Sequence, residues 1–131
     1  MTGATLITVA RVRELFRLVS GRGEERDVDG CVDGAIGAAI LAASYLSDDG
    51  QLDALCVAAY LLRSLAKNHC FIDGNKRTAW VVCLEVLEVG AGVTVDEDQE
   101  VAAAFVQQVA TGELGPDDIR AWLGDRLVMV D

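Results

Sequence analysis

An all-α fold, a compact bundle of about six helices, is predicted by this sequence on three observations. Apolar residues recur at a spacing near 3.6 through most of the 131 residues, clean period-2 alternation is nearly absent, and helix-breaking clusters divide the chain into segments of helical length. Strands, if any, are short. The length is that of one domain, taken as residues 1–131. Such a chain buries about two-thirds of the surface its unfolded form exposes, so its core needs neither a metal nor a disulfide to hold it.

From about Val9 to Val19, the residues Val9, Val12, Leu15, Phe16 and Val19 form one stripe, while Arg11, Arg13, Glu14 and Arg17 fall mostly off it. That is an amphipathic helix. The segment SGRGEERDVD (20–29) has no apolar face to bury and reads as a surface loop, with Asp29 able to cap the next helix. This second helix, about Gly30 to Leu46, lines up Val32, Ala35, Ile36, Ala39, Ile40 and Ala43, small residues that permit close helix contact. After an SDDG turn, Leu52 to Asn68 is apolar almost all round, as a central helix should be. A fourth helix, about Asn75 to Val89, also reads as largely buried, and Gly90 to Gly92 end it. Acidic residues open a fifth, roughly Asp96 to Thr111, at the positive end of its dipole. Pro116 suits the first turn of a short sixth helix carrying Ile119, Trp122 and Leu123.

Composition excludes several functions. Eleven Lys and Arg against 21 Asp and Glu give a net charge of −10, a field that repels phosphate polymers, so nucleic acid is not an expected partner. Mean hydropathy is positive at +0.31. Charged residues nevertheless interrupt every apolar run before the roughly 18 to 20 residues that a membrane span requires. The first residues show no basic cluster followed by an apolar stretch and a cleavage site, so a cytoplasmic location is expected. Of the cysteines, Cys56 and Cys83 sit inside apolar helical runs, and no CxxC pair exists for a zinc site. All four, Cys31 and Cys70 included, are therefore expected to be reduced and mostly buried.

One stretch departs from this helical regularity. Between the two most buried helices lies HCFIDGNKRTA (69–79), which contains the chain's single histidine. Lys76 and Arg77 fall in the first turn of a helix, where the dipole disfavours cations by about 0.3 to 1 kcal/mol each. A bound anion would offset that cost. Free N–H groups at a helix start favour an anion, and Gly74 just before them lets a phosphate approach the backbone closely. Asp73 offers a hard oxygen ligand for magnesium, and His69 a base that titrates near neutrality. The same residues also suit a plain αα turn, with Asp73 as cap, Gly74 left-handed and both cations solvated. The string is not a P-loop, and Gly21-Arg22-Gly23 does not extend to a dinucleotide motif.

HCFIDGNKRTA resembles the HxFx(D/E)GN(G/K)R signature of the Fic/Doc superfamily, and its lysine is similar to that of the Doc, or death-on-curing, toxin branch. The likeness extends through RDVDGCVDGAI and LLRSLAKNHCFIDGNKRTAWVVCLEVL, roughly the first 90 residues. By this resemblance the fold is a Fic/Doc-like bundle with the active loop between two central helices. The resemblance also assigns roles. His69 is the base that takes the proton of a target hydroxyl, Asp73 holds magnesium, Gly74 and Asn75 cradle phosphates, Arg77 binds phosphate, and Phe71 anchors the loop inward. Lys76 stands where AMP-transferring relatives carry glycine, and Trp80 where they carry a second arginine. Both point to the Doc branch, in which the γ-phosphate of ATP faces the histidine and a phosphoryl group is transferred.

The implied protein is a toxin that uses ATP and Mg²⁺ to modify a hydroxyl of a protein target, by resemblance elongation factor Tu, and so arrests translation. An adenylyltransferase and a catalytically silent binding module are the alternatives. Cys70 replaces a proline common after the histidine, and an arginine usual in the second helix is missing. The autoinhibitory (S/T)xxxE(G/N) motif of many Fic proteins is also missing, because Ser20-Gly21-Arg22-Gly23-Glu24 is followed by Glu25. Control by a separate, Phd-like antitoxin is accordingly expected.

Overall fold

The computed structural model describes residues 6–20, 28–45, 53–68, 70–71 and 74–130. Residues 21–27 of the expected loop, the SDDG turn, His69, Ile72 and Asp73 lie outside the described residues. Among those described the chain forms α1 (Val9–Ser20), α2 (Val28–Tyr45), α3 (Ala54–Asn68), α4 (Asn75–Ala91), α5 (Gln99–Thr111) and α6 (Pro116–Gly124). Two three-residue strands, β1 (Val93–Val95) and β2 (Leu127–Met129), pair antiparallel with Val93 opposite Met129. The all-α prediction holds, and the strands are as short as the sequence requires. Helix α2 starts two residues ahead of Gly30, which places Asp29 in its first turn and not at a cap.

Helix α3 is the centre of the bundle because its sequence leaves almost no polar face. Ala58, Ala59, Leu61 and Leu62 are fully buried, and α2, α4, α5 and α6 all pack against α3. Each leucine so buried contributes about 1.5 to 3 kcal/mol. The alanines let neighbouring backbones approach. Gly90 does the same from the far end of α4, where an added Cβ would stand 2.6 Å from the Ala54 Cβ. Gly92, at φ 66°, then ends the helix with its N–H turned back to Glu88 and Leu87.

The start of α5 is capped by Asp98, whose Oδ1 accepts the Glu100 N–H at 2.8 Å. Arg126, just ahead of β2, binds Glu97 at 2.9 Å and lies 4.0 Å over the Trp122 ring. Helix α1 is tied to α4 by Arg11, which grips both Glu85 oxygens at 2.6 and 2.7 Å.

One expectation is overturned. Cys31 and Cys70 form a disulfide, their Cα atoms 5.5 Å apart across 39 residues of sequence, while Cys56 and Cys83 are free and buried. Packing of α2 against α3 brings the first turns of α2 beside the residues just past the end of α3. Helical periodicity reports which face of a helix is buried, not which ends meet, so this proximity does not register in it.

Candidate active site

The site forms where α3 gives way to α4. Gly74 adopts the left-handed conformation (φ 81°, ψ 13°), which only glycine takes at little cost, and so turns the chain into α4. The Thr78 N–H donates to the Gly74 carbonyl at 3.0 Å, so the N–H groups of Asn75, Lys76 and Arg77 precede the helix's own ladder. No acidic residue occupies that first turn. Lys76 and Arg77 are exposed there, as the sequence predicts.

The loop behind them is fixed at three points. The Phe71 ring is buried and stacks on Phe16 at 4.0 Å and 7°, which makes it the inward anchor. Asn75, itself buried, accepts the Phe71 N–H at 3.0 Å and donates to the Phe71 carbonyl at 2.7 Å. Cys70 is bonded to Cys31. With its amide so engaged, Asn75 can offer an anion its backbone N–H and one remaining amide proton. His69 falls in the chain between Asn68, the last residue of α3, and Cys70; it and Asp73 lie outside the described residues.

Beside this helix start runs a groove of about 710 Å³ between α4, α5 and β1. Lys76, Arg77 and Gln107 line it together with Trp80, Val106 and Glu97. Lys76 Nζ donates to Gln107 Oε1 at 2.6 Å, which carries its charge across toward α5, while Arg77 reaches the Val19 carbonyl at 3.4 Å. Trp80 stands edge-on to Phe105 and Trp122, both centroids 6.4 Å away, and Phe105 stacks on Trp122 at 3.7 Å. The Trp80 indole is thus an aromatic wall of the groove. Glu97 is held below the usual carboxylate range by the Asp98 N–H first and by Arg126 second.

Sequence reasoning missed two residues. Gln107 carries no signal, since one glutamine on an amphipathic helix resembles any other. Cys31 did have one: with Cys56 and Cys83 inside apolar runs, Cys31 and Cys70 are the two cysteines left over.

Fold and site together define a small all-α protein in which a helix start carrying exposed Lys76 and Arg77 opens onto a groove. The chain belongs to the Fic/DOC family, whose sequence model matches residues 7–87. Over 67 residues it is 43% identical to a curated relative, the Toxin Doc of Mycolicibacterium smegmatis, covering 50% of this chain and 52% of that one. The match therefore spans about half the length of that relative. The α5 side of the groove lies beyond residue 87.

Proposed function

We propose that this chain is a Doc-like toxin that transfers the γ-phosphate of ATP to a hydroxyl of a protein. The observation that carries this is the start of α4, where a left-handed Gly74 is followed by two exposed cations, Lys76 and Arg77, with no acidic residue in the turn. Such a turn favours a bound phosphate. Phosphoryl transfer needs mainly positioning and charge stabilisation, which these residues are suited to supply. Gly74 and Asn75 receive the phosphates with Lys76 and Arg77, and His69 takes the proton of the attacking hydroxyl.

Asp73 would hold the magnesium ion, which when bound neutralises charge on the phosphates. The groove's carboxylate, Glu97, is less suited to that task, because its Oε1 accepts the Asp98 N–H and its Oε2 binds Arg126. Lys76 favours phosphoryl over AMP transfer, since it brings a charge where the open form has glycine. The target is proposed to be elongation factor Tu, the effect arrested translation, the location cytoplasmic, and the control a separate Phd-like antitoxin. No helix among the described residues is long and apolar enough to cross a membrane.

The test is transfer of label to purified elongation factor Tu from γ-labelled and, separately, α-labelled ATP. Label from the γ-position alone supports the proposal. Label from the α-position assigns AMP transfer instead, and none from either overturns transfer to this target. Expressed alone in a susceptible bacterium the chain is expected to stop growth, and harmless expression with the target present counts against a toxin.

A further inference from the structure

We propose that the Cys31–Cys70 disulfide is a thiol–disulfide exchange site through which the surrounding redox state sets the activity of the neighbouring site. The effect on catalysis rests on the function proposed above; the exchange does not. The bond joins the early part of α2 to the residue directly after His69. Helix α3 ends at Asn68, and the next fixings beyond the disulfide are those of Phe71, through Asn75 and Phe16. Among the described residues the disulfide is therefore the tether nearest in sequence to His69 on its C-terminal side. Opening it frees residue 70 from α2 while leaving the Phe71 anchor and the packing of α2 on α3 in place.

The two sulfurs are not equivalent. Cys70 is 7% exposed, whereas Cys31 is only half-buried, so an incoming thiolate meets Cys31 first. The thiolate of a dithiol reductant attacks the Cys31 Sγ. The Sγ–Sγ bond breaks, its electron pair leaves on the Cys70 Sγ, and that thiolate takes up a proton. The reductant's second thiol then displaces Cys31 from the mixed disulfide. In sum, two electrons and two protons pass to the cystine and the reductant becomes a disulfide; glutathione disulfide drives the reverse. Cys56 and Cys83 do not compete, because both are buried and burial pushes their thiols up, that of Cys83 to about 12. Where cells keep thiols reduced, disulfides are usually transient and serve sensing or catalysis. A core as well buried as this one does not need the bond to fold, which fits such a role. The oxidised form, in which the residue after His69 is fixed to α2, is the active one.

The test uses the full chain equilibrated in glutathione buffers from fully reduced to fully oxidised, then acid-quenched, unfolded and alkylated with N-ethylmaleimide. Intact mass is expected to pass from four adducts to two, and Cys31→Ser to keep three throughout. Four adducts at every ratio, or two even under excess native-state dithiol, overturns the exchange site. The imidazole proton resonances of His69, the chain's single histidine, are expected to shift between the two states in the parent and not in Cys31→Ser. Unchanged resonances overturn the coupling whether or not the chain transfers phosphate. Transfer to the target is expected to fall at least fivefold on reduction, with Cys31→Ser at the reduced level in every buffer and melting cooperatively. Equal transfer in both states overturns the catalytic effect, whereas no transfer in either overturns the proposed function alone.

Discussion

Asn75 grips the main chain of Phe71 at both its polar groups, accepting from the N–H at 3.0 Å and donating to the carbonyl at 2.7 Å. The pair is buried, so water cannot replace either bond. Asn75→Ala leaves two buried groups unmatched, each costing about 1 to 3 kcal/mol, so a loss of about 2 to 6 kcal/mol is expected in urea unfolding. Asn75→Asp keeps the acceptor but sets an oxygen against the Phe71 carbonyl, and should recover little. Two variants within about 0.5 kcal/mol of the parent would show that the loop is held by other means.

Replacing His69 with alanine should lower transfer by about 10² to 10⁴-fold, the usual contribution of a general base, without changing the melting profile. Asp73→Ala should weaken nucleotide binding in magnesium far more than in its absence. Titration of both variants with ATP, with and without the metal, separates the two roles, and wild-type turnover by the first would remove His69 from the chemistry.

Gly90 is expected to resist even alanine. The new Cβ would lie 2.6 Å from the Ala54 Cβ and 2.9 Å from the Leu6 Cδ2. The first of these is fixed to the α3 backbone and cannot swing aside. Alanine gains about 0.5 to 1 kcal/mol in helix preference, while overpacking costs about 1 to 3 kcal/mol, so a net loss of about 1 kcal/mol or more is predicted. Gly90→Ala combined with Ala54→Gly should recover part of it, and additive losses in the double variant would refute the contact.

Glu97 carries an acid dependence. Its native pKa lies below the 4.5 of an unpaired glutamate, through the Asp98 N–H and then Arg126. The folded chain thus binds that proton less readily than the unfolded one. Its stabilisation is present above pH 4.5 and is lost as pH falls through the lowered native value. The stability difference between parent and Glu97→Gln should therefore shrink on acidification below pH 4.5, as measured by urea unfolding at several pH values. A constant difference would mean that neither the Asp98 N–H nor Arg126 favours the ionised carboxylate in the folded chain.

Helix order and burial were legible because they depend on local periodicity. The run Leu61, Leu62, Leu65 marks α3 as central in any context, and Gly92 and Pro116 act through their own backbones. Phe71 was legible for a different reason, the match of its surroundings to a family signature. The illegible part depends on which ends and faces meet. Cys31 needed the packing of α2 on α3 to find Cys70, and Gln107 needed the placement of α5 to meet Lys76. The side chain of Asn75, read from the motif as a phosphate ligand, is also the brace of the loop. A linear pattern names the residue without showing how many partners it has.

The aromatic cluster has an optical consequence. Both tryptophans of the chain belong to it: Trp80 lines the groove, and Trp122 stands edge-on to Trp80 with the Arg126 guanidinium over its ring. Ultraviolet emission from this protein therefore originates almost wholly in this cluster, one indole of which lines the groove. Any ligand that enters there displaces water from an indole, and its arrival registers as a change in colour and intensity without any attached dye.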